Sequence, residues 1–220
     1  MRHAFLLTLA LALALPAAAG ANFGRYQRGN AVYAMARLIE RLEAQTFPRH
    51  PQLGDAIQAP IELISTPYPS LSTVPVECKL VIDRRLLLDE TIESVLADYR
   101  ARIKGFENVK VEMDTVTYTS YTGAKFTVPD FHPAWLTAGD SDFYKACLAG
   151  VEAAGVKAVA VPIPYCTNGS SSAGEMGLPA IVLGPGNIKQ AHAMDEFLAV
   201  EQLQKAVRIY REVAAKVLST

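Results

Sequence analysis

The sequence is short of the residues on which metal, disulfide and nucleic-acid chemistry is usually built. It has four histidines and three cysteines in 220 residues. Cys78, Cys147 and Cys166 are odd in number and show no C-x-x-C spacing, which excludes a disulfide framework or a thiolate zinc cluster read from spacing. They read as reduced or buried thiols. No His-x-Glu-x-x-His helix, His-x-Asp pair or Glu-Glu pair occurs anywhere. An excess of one charge is missing too: 21 basic residues against 22 acidic leave a net charge of −1, and no stretch gathers Lys and Arg with aromatics between them. Nucleic-acid binding therefore has no electrostatic support. No apolar run reaches the roughly 20 residues that cross a bilayer. What is present is a chain that is 50% apolar and 20% charged, the profile of a folded protein with room for one ordinary domain or two small ones.

Residues 1–21 begin Met1-Arg2-His3, continue as an apolar run from Ala4 to Leu15, and end in Pro16 and small residues. This matches the three parts of a secretory signal. A buried strand at 5–15 is an equal reading, and the following segments bear on it. From Asn30, a plausible N-cap, Val32, Met35, Ile39 and Leu42 share one helical face. Residues 61–65 form a short apolar run. Residues 75–85 then alternate, with Val76, Cys78, Leu80 and Ile82 on one side and Glu77, Lys79, Asp83 and Arg85 on the other. Asp89 is placed to cap a second helix carrying Ile92, Val95, Leu96, Tyr99 and Ile103, and a strand follows at Val109, Val111 and Met113. The order helix, strand, strand, helix, strand is a split β-α-β, ferredoxin-like pattern lacking its first strand. Either residues 1–21 are removed and the sheet lacks an element, or 5–15 supplies it.

After Tyr118 the pattern reads as loop until a helix beginning near Asp140, with Phe143, Cys147, Leu148 and Val151 on its stripe. Residues 156–163 and 179–183 are nearly all apolar without alternation, as strands buried on both faces of a parallel sheet are. A long final helix lines up Val200, Leu203, Val207, Tyr210, Val213 and Val217. Two such strands and two helices cannot cover one another, so this half reads as part of a larger sheet.

Three constellations are candidates for chemistry. His192 follows Gly184-Pro185-Gly186 on a loop past the second apolar run, where open α/β sheets bind ligands. Thr167-Asn168-Gly169-Ser170-Ser171-Ser172, past the first run, is a loop able to offer backbone N–H groups and hydroxyls to a carboxylate or oxyanion; a plain turn is the alternative. Ala173 stands where a nucleophile elbow has its last glycine, which argues against a serine hydrolase. Arg85 can clamp a substrate carboxylate, or pair on the surface with Asp83.

Taken in order, four motifs resemble the aminoacylase, ArgE and DapE family of co-catalytic zinc peptidases and amidohydrolases. They are Arg28-Gly29-Asn30-Ala31-Val32-Tyr33; Val74-Pro75 with Cys78, Ile82-Asp83-Arg84-Arg85 and Glu90-Thr91; Thr167-Asn168-Gly169 with Gly177-Leu178-Pro179 and Gly184-Pro185-Gly186; and Ala191-His192 with Glu196. Ser120-Tyr121-Thr122-Gly123 is similar to the branch of hydrolases linked to selenium or purine metabolism. The resemblance implies an α/β protein with a ferredoxin-like α+β lid (dimerisation) domain over 22–118. The C-terminal part of a helix-covered, mainly parallel catalytic sheet follows over 119–220, and 1–21 stands apart as a signal-like or artefactual segment. It further implies two zinc ions, with His192 as a metal ligand. Arg85, Thr167, Asn168, Gly169 and Ser170 would bind a small substrate bearing a free carboxylate, and a homodimer would form through the lid.

The departures are specific. The family's His-x-Asp pair, bridging Asp, general-base Glu and adjoining Glu ligand have no counterpart. Residues 22–26 replace the histidine before the first lid helix, and Ser72 replaces an asparagine. The expectation is a truncated amide or peptide hydrolase, inactive without the N-terminal half; the alternative is a secreted, non-catalytic dimerisation or binding module. The cytoplasm is the expected location, with export if 1–21 is a true signal. No transmembrane segment and no nucleic-acid partner are expected.

Overall fold

The computed structural model describes residues 6–14, 29–69, 73–163, 165–191 and 193–219. The chain forms two compact units, Met1–Ala134 with Pro162–Cys166, and Trp135–Val161 with Thr167–Thr220.

The first unit is built on a four-stranded antiparallel sheet of β1 (Leu6–Ala14), β4 (Ile57–Thr66), β5 (Glu77–Arg85) and β6 (Val109–Met113) in the order β4-β5-β1-β6. Two residues each, β2 (Arg49–His50) and β3 (Gly54–Asp55) make a small separate ladder. The signal-like apolar run is thus a central strand. It pairs with β5 from Leu6 opposite Arg85 to Ala14 opposite Glu77, and with β6 from Leu9 opposite Met113 to Leu13 opposite Val109. Successive strand residues point to opposite faces, and Ala10 and Leu11 are both buried, so both faces of the sheet are covered there. The run lacks alternation for that reason.

Helix α1 (Ala31–Glu43) starts where expected: the Asn30 side chain accepts a hydrogen bond from the Val32 N–H at 2.9 Å. Its Ala31, Met35, Leu38 and Leu42 are buried. Helix α2 (Ile92–Arg102) is capped two residues later than the sequence suggested. Thr91 and Ser94 exchange side-chain to backbone bonds in a capping box. Asp89 instead takes a left-handed turn at φ +66°, a conformation that short polar residues tolerate. At the sheet edge, β4 carries Pro60 beside a bulge and exposes Ile61 and Leu63.

A hairpin of β7 (Thr115–Thr119) and β8 (Lys125–Pro129) replaces the loop expected after Tyr118. Ser120 closes its turn by accepting from the Ala124 N–H, and Gly123 supplies the positive φ of +86°. Because β8 pairs with β7, residues 119–134 belong to the first unit rather than the second.

The second unit contains α3 (Asp142–Ala153), capped by Ser141, and α4 (Val200–Val217). They cross closely at Gly150, where a Cβ would lie 2.5 Å from the Val213 Cα. Residues 156–163 and 179–183 depart from expectation: neither run enters a ladder among the described residues, because no neighbouring strand is there to accept it. The expected stripe of α4 is also not buried. Val200, Leu203, Val207 and Tyr210 are exposed, and Ala206 is the buried position. No helix among the described residues is long and apolar enough to cross a membrane.

Candidate substrate and metal site

The carboxyl end of β5 is the most elaborated polar region of the first unit. Alternation turns Cys78, Leu80, Ile82 and Arg84 to one face, and all four are buried. Arg84, at 1% exposure, survives there because both its terminal nitrogens are paired with carboxylates, although its Nε is buried without a hydrogen-bond partner. Its Nη1 donates to Asp98 Oδ2 at 2.7 Å and its Nη2 to Glu90 Oε1 at 2.5 Å, while its Cζ lies 5.3 Å from the Phe47 ring centre and 5.4 Å from that of Tyr99. Glu90 Oε2 also accepts the Leu87 N–H, and Asp98 Oδ1 accepts from Arg102 Nε. Burial opposes the Asp98 charge, but the hydrogen bonds from Arg102 and Arg84 hold its carboxyl below the usual range. Desolvation pushes the Tyr99 hydroxyl up to about 12, and it donates to Gln58 Oε1 at 2.6 Å. The cluster ties β5, the loop after it and α2 together.

Pinning Arg84 inward turns Asp83 and Arg85 to the opposite face. Arg85 is half-buried and its side chain makes no hydrogen bond or ion pair with another described residue, which leaves its guanidinium available. Burial raises the Asp83 carboxyl; the Arg85 charge pulls it back and Asp130 adds to the rise. Asp83 Oδ1 is buried without a hydrogen-bond partner. Sequence reading singled out Arg85 and overlooked Arg84, whose partners lie as far away in the chain as Phe47 and Asp98.

In the second unit Thr167, Asn168, Gly169 and Ser170 come together in one turn that runs into a π-helical segment, Ser170–Glu175. Gly169 is required by close approach: a Cβ there would fall 2.4 Å from the Trp135 indole. The expected role of this loop as a backbone donor is not what the turn presents. The Gly169 N–H bonds to Thr167 Oγ1, that of Ser170 to the Thr167 carbonyl, and those of Ser171 and Ser172 to the Asn168 carbonyl. Ser171 Oγ donates to Glu175 and Ser170 is buried. A connection this long folds on itself to satisfy its backbone, and the side chains of Asn168, Ser171 and Glu175 are its exposed polar groups.

Gly186, at φ +112°, closes the Gly184-Pro185-Gly186 turn, and Asn187 caps the short helix Ile188–Gln190. His192 lies outside the described residues. Among the described residues no group of three or more His, Cys, Asp or Glu is placed to hold a metal ion. The donors among the described residues therefore do not by themselves fit a dinuclear centre. Cys78 and Cys147 are free thiols, and burial raises both.

The profile of peptidase family M20/M25/M40 matches residues 23–216. The chain belongs to the M20 peptidase family. Among relatives, the uncharacterized protein YgeY of Escherichia coli K12 is 30% identical over 199 residues, covering 88% of this chain and 49% of YgeY. Among solved structures, the Bacillus subtilis YXEP protein, a dinuclear metal-binding peptidase of the M20 family, superposes with TM-score 0.63 at 15% identity, covering 100% of this chain and 51% of YXEP. Aminopeptidase PepT of Bacillus cereus gives TM-score 0.65 at 14% identity, covering 97% of this chain and 52% of PepT. This M20 chain spans about half the length of the relatives it matches.

Proposed function

We propose that this chain carries the lid and the C-terminal catalytic segment of a zinc-dependent hydrolase that cleaves an amide or peptide bond next to a free carboxylate, and that it does not turn over substrate alone. One observation carries the reading. The M20 profile runs through the lid motif and the terminal His192 region, yet the described residues hold no metal-binding group. Arg85 is the carboxylate clamp: its unengaged guanidinium suits two-point recognition of a planar anion. Asn168, on the self-satisfied turn of the second unit, is an outward polar group that would orient the acyl portion. His192 is one ligand of a metal whose remaining ligands lie in the half of the family fold that this chain does not match; a zinc ion so held polarises the scissile carbonyl. No catalytic step is assigned to the residues present, because no described group is placed to act as base at a metal.

In this reading the lid pairs with a second copy through the exposed edge of β4, and the chain resides in the cytoplasm. The pairing of residues 6–14 into the sheet centre and the free thiols of Cys78 and Cys147 support that location. The test is to purify the 220-residue chain, measure zinc content and mass in solution, and assay N-acyl amino acids and dipeptides. The expected result is a dimer with substoichiometric zinc and no turnover. Tightly held stoichiometric zinc with turnover contradicts the reading.

A further inference from the structure

The face of β5 that carries Arg85 also carries Asp83, two residues away on the same strand. The Asp83 Oδ1 is buried without a hydrogen-bond partner. Its register partners across the sheet are Ala59 on β4 and Thr8 on β1, neither of them a charged residue. The charges that act on it are those of Arg85 and of Asp130, the residue that follows β8. Asp130 is itself largely buried, with its side chain 17% exposed, and its ion-pair partner is His132 Nε2 at 3.3 Å, a cation only when protonated. Among the described residues no lysine or arginine forms an ion pair with either carboxylate. Leaving a buried acceptor unsatisfied is costly, and two carboxylates in one neighbourhood repel. Burial and Asp130 accordingly raise the Asp83 carboxyl. Folded proteins keep so few orphaned polar atoms that each one asks for a role. The first unit thus sets an unpaired guanidinium beside two carboxylates that lack a full counter-charge.

We propose that Asp83 and Asp130 form a cation subsite beside Arg85, and that the carboxylate-bearing residue of the substrate has a basic side chain. The inference rests on the reading of Arg85 as the carboxylate clamp, and it goes further by naming the class of residue the clamp holds. The charge pattern selects that class. A guanidinium takes the planar carboxylate, while an ammonium with three N–H donors can satisfy Asp83 Oδ1 and Asp130 together. That cation is not the α-nitrogen of the residue, because in an amide or peptide this nitrogen is acylated and uncharged. It belongs to the side chain. A metal ion does not suit the place instead, since among the described residues no group of three or more His, Cys, Asp or Glu is set to hold one. An apolar side chain would leave Asp83 Oδ1 unsatisfied, and an acidic one would add a third negative charge, so the subsite discriminates against both.

The test titrates the purified 220-residue chain with Nα-acetyl-L-lysine and with Nα-acetyl-L-norleucine, which has a similar shape and no ammonium, by isothermal calorimetry. The expected result is about tenfold tighter binding of the lysine compound. Asp83→Asn and Asp130→Asn should each abolish that preference with the circular dichroism of the chain unaltered, and Arg85→Gln should weaken the binding of both compounds. Equal affinities that both depend on Arg85 overturn the cation subsite and leave the clamp standing. A lysine preference that survives in either aspartate variant overturns the subsite too. Binding that Arg85→Gln does not alter, or no binding of either compound, contradicts the clamp and the subsite with it.

Discussion

Arg84 is the residue whose removal the first unit tolerates least. Its two carboxylate partners are largely buried, so Arg84→Met leaves Glu90 without its cation and Asp98 with Arg102 alone. Breaking such a pair costs about 3 kcal/mol, which chemical denaturation would register directly. The pH dependence follows from Asp98. Its folded pKa lies below the unfolded value of about 4, so its stabilising contribution is present above that pH and is lost as pH falls toward the folded value. Acid unfolding should accordingly be less steep in Asp98→Asn than in the parent. Asp83 has the opposite sign. Its raised folded pKa favours the folded state most at low pH, and the benefit disappears as pH rises through that value. Asp83→Asn should melt at a higher temperature than the parent at pH 7, with the gap closing near pH 4; a lower melting point at pH 7 would show that the attraction of the Arg85 charge outweighs burial. Arg85 was legible because the D-x-R spacing puts it at a strand end. Arg84 was not, since a charged residue on an apolar face announces nothing until Phe47, Glu90 and Asp98 are folded around it.

Strands reveal more than turns in this chain. The alternation of 77–85, the stripe of α1 and the stripe of α2 all depend on local periodicity, and each element forms where its period predicts. The hairpin of β7 and β8 escaped notice because Thr and Lys alternate there with exposed Tyr118 and Phe126, leaving no buried face to mark it. The run at 6–14 was ambiguous because an apolar export signal and a doubly covered strand share one composition. Its central place in the sheet makes a firm prediction. Leu11→Ala should cost about 2–5 kcal/mol, whereas Leu11→Asp should abolish the cooperative unfolding of the first unit; an unchanged melting curve would show that the strand is dispensable. At the crossing of α3 and α4, Gly150→Ala gains about 1 kcal/mol of helix propensity. It also places a methyl against the Val213 backbone, which cannot yield, and overpacking of that kind costs about 1–3 kcal/mol. The net effect should be a loss of stability in the second unit, seen as a lower melting temperature.

The molecule as a whole is an uneven structure. Its first unit closes a ferredoxin-like sheet between helices and loops, while its second leaves two apolar runs outside any ladder among the described residues and an exposed apolar helix face. The family was readable because its motifs are contiguous in sequence; the absent ladder was readable only as arithmetic, two strands being too few to bury both their faces. No second metal-donor motif lies in the sequence around His192, so the proposed metal centre has no local pattern to reveal it. The account therefore turns on whether those runs are unpaired in the isolated chain, which native-state amide exchange measures directly. The prediction is that residues 157–161 and 179–183 exchange at close to unfolded-chain rates, while the β5 amides bonded to β1 and β4 are protected. Slow exchange throughout both runs, in the monomeric or dimeric chain alone, would contradict it.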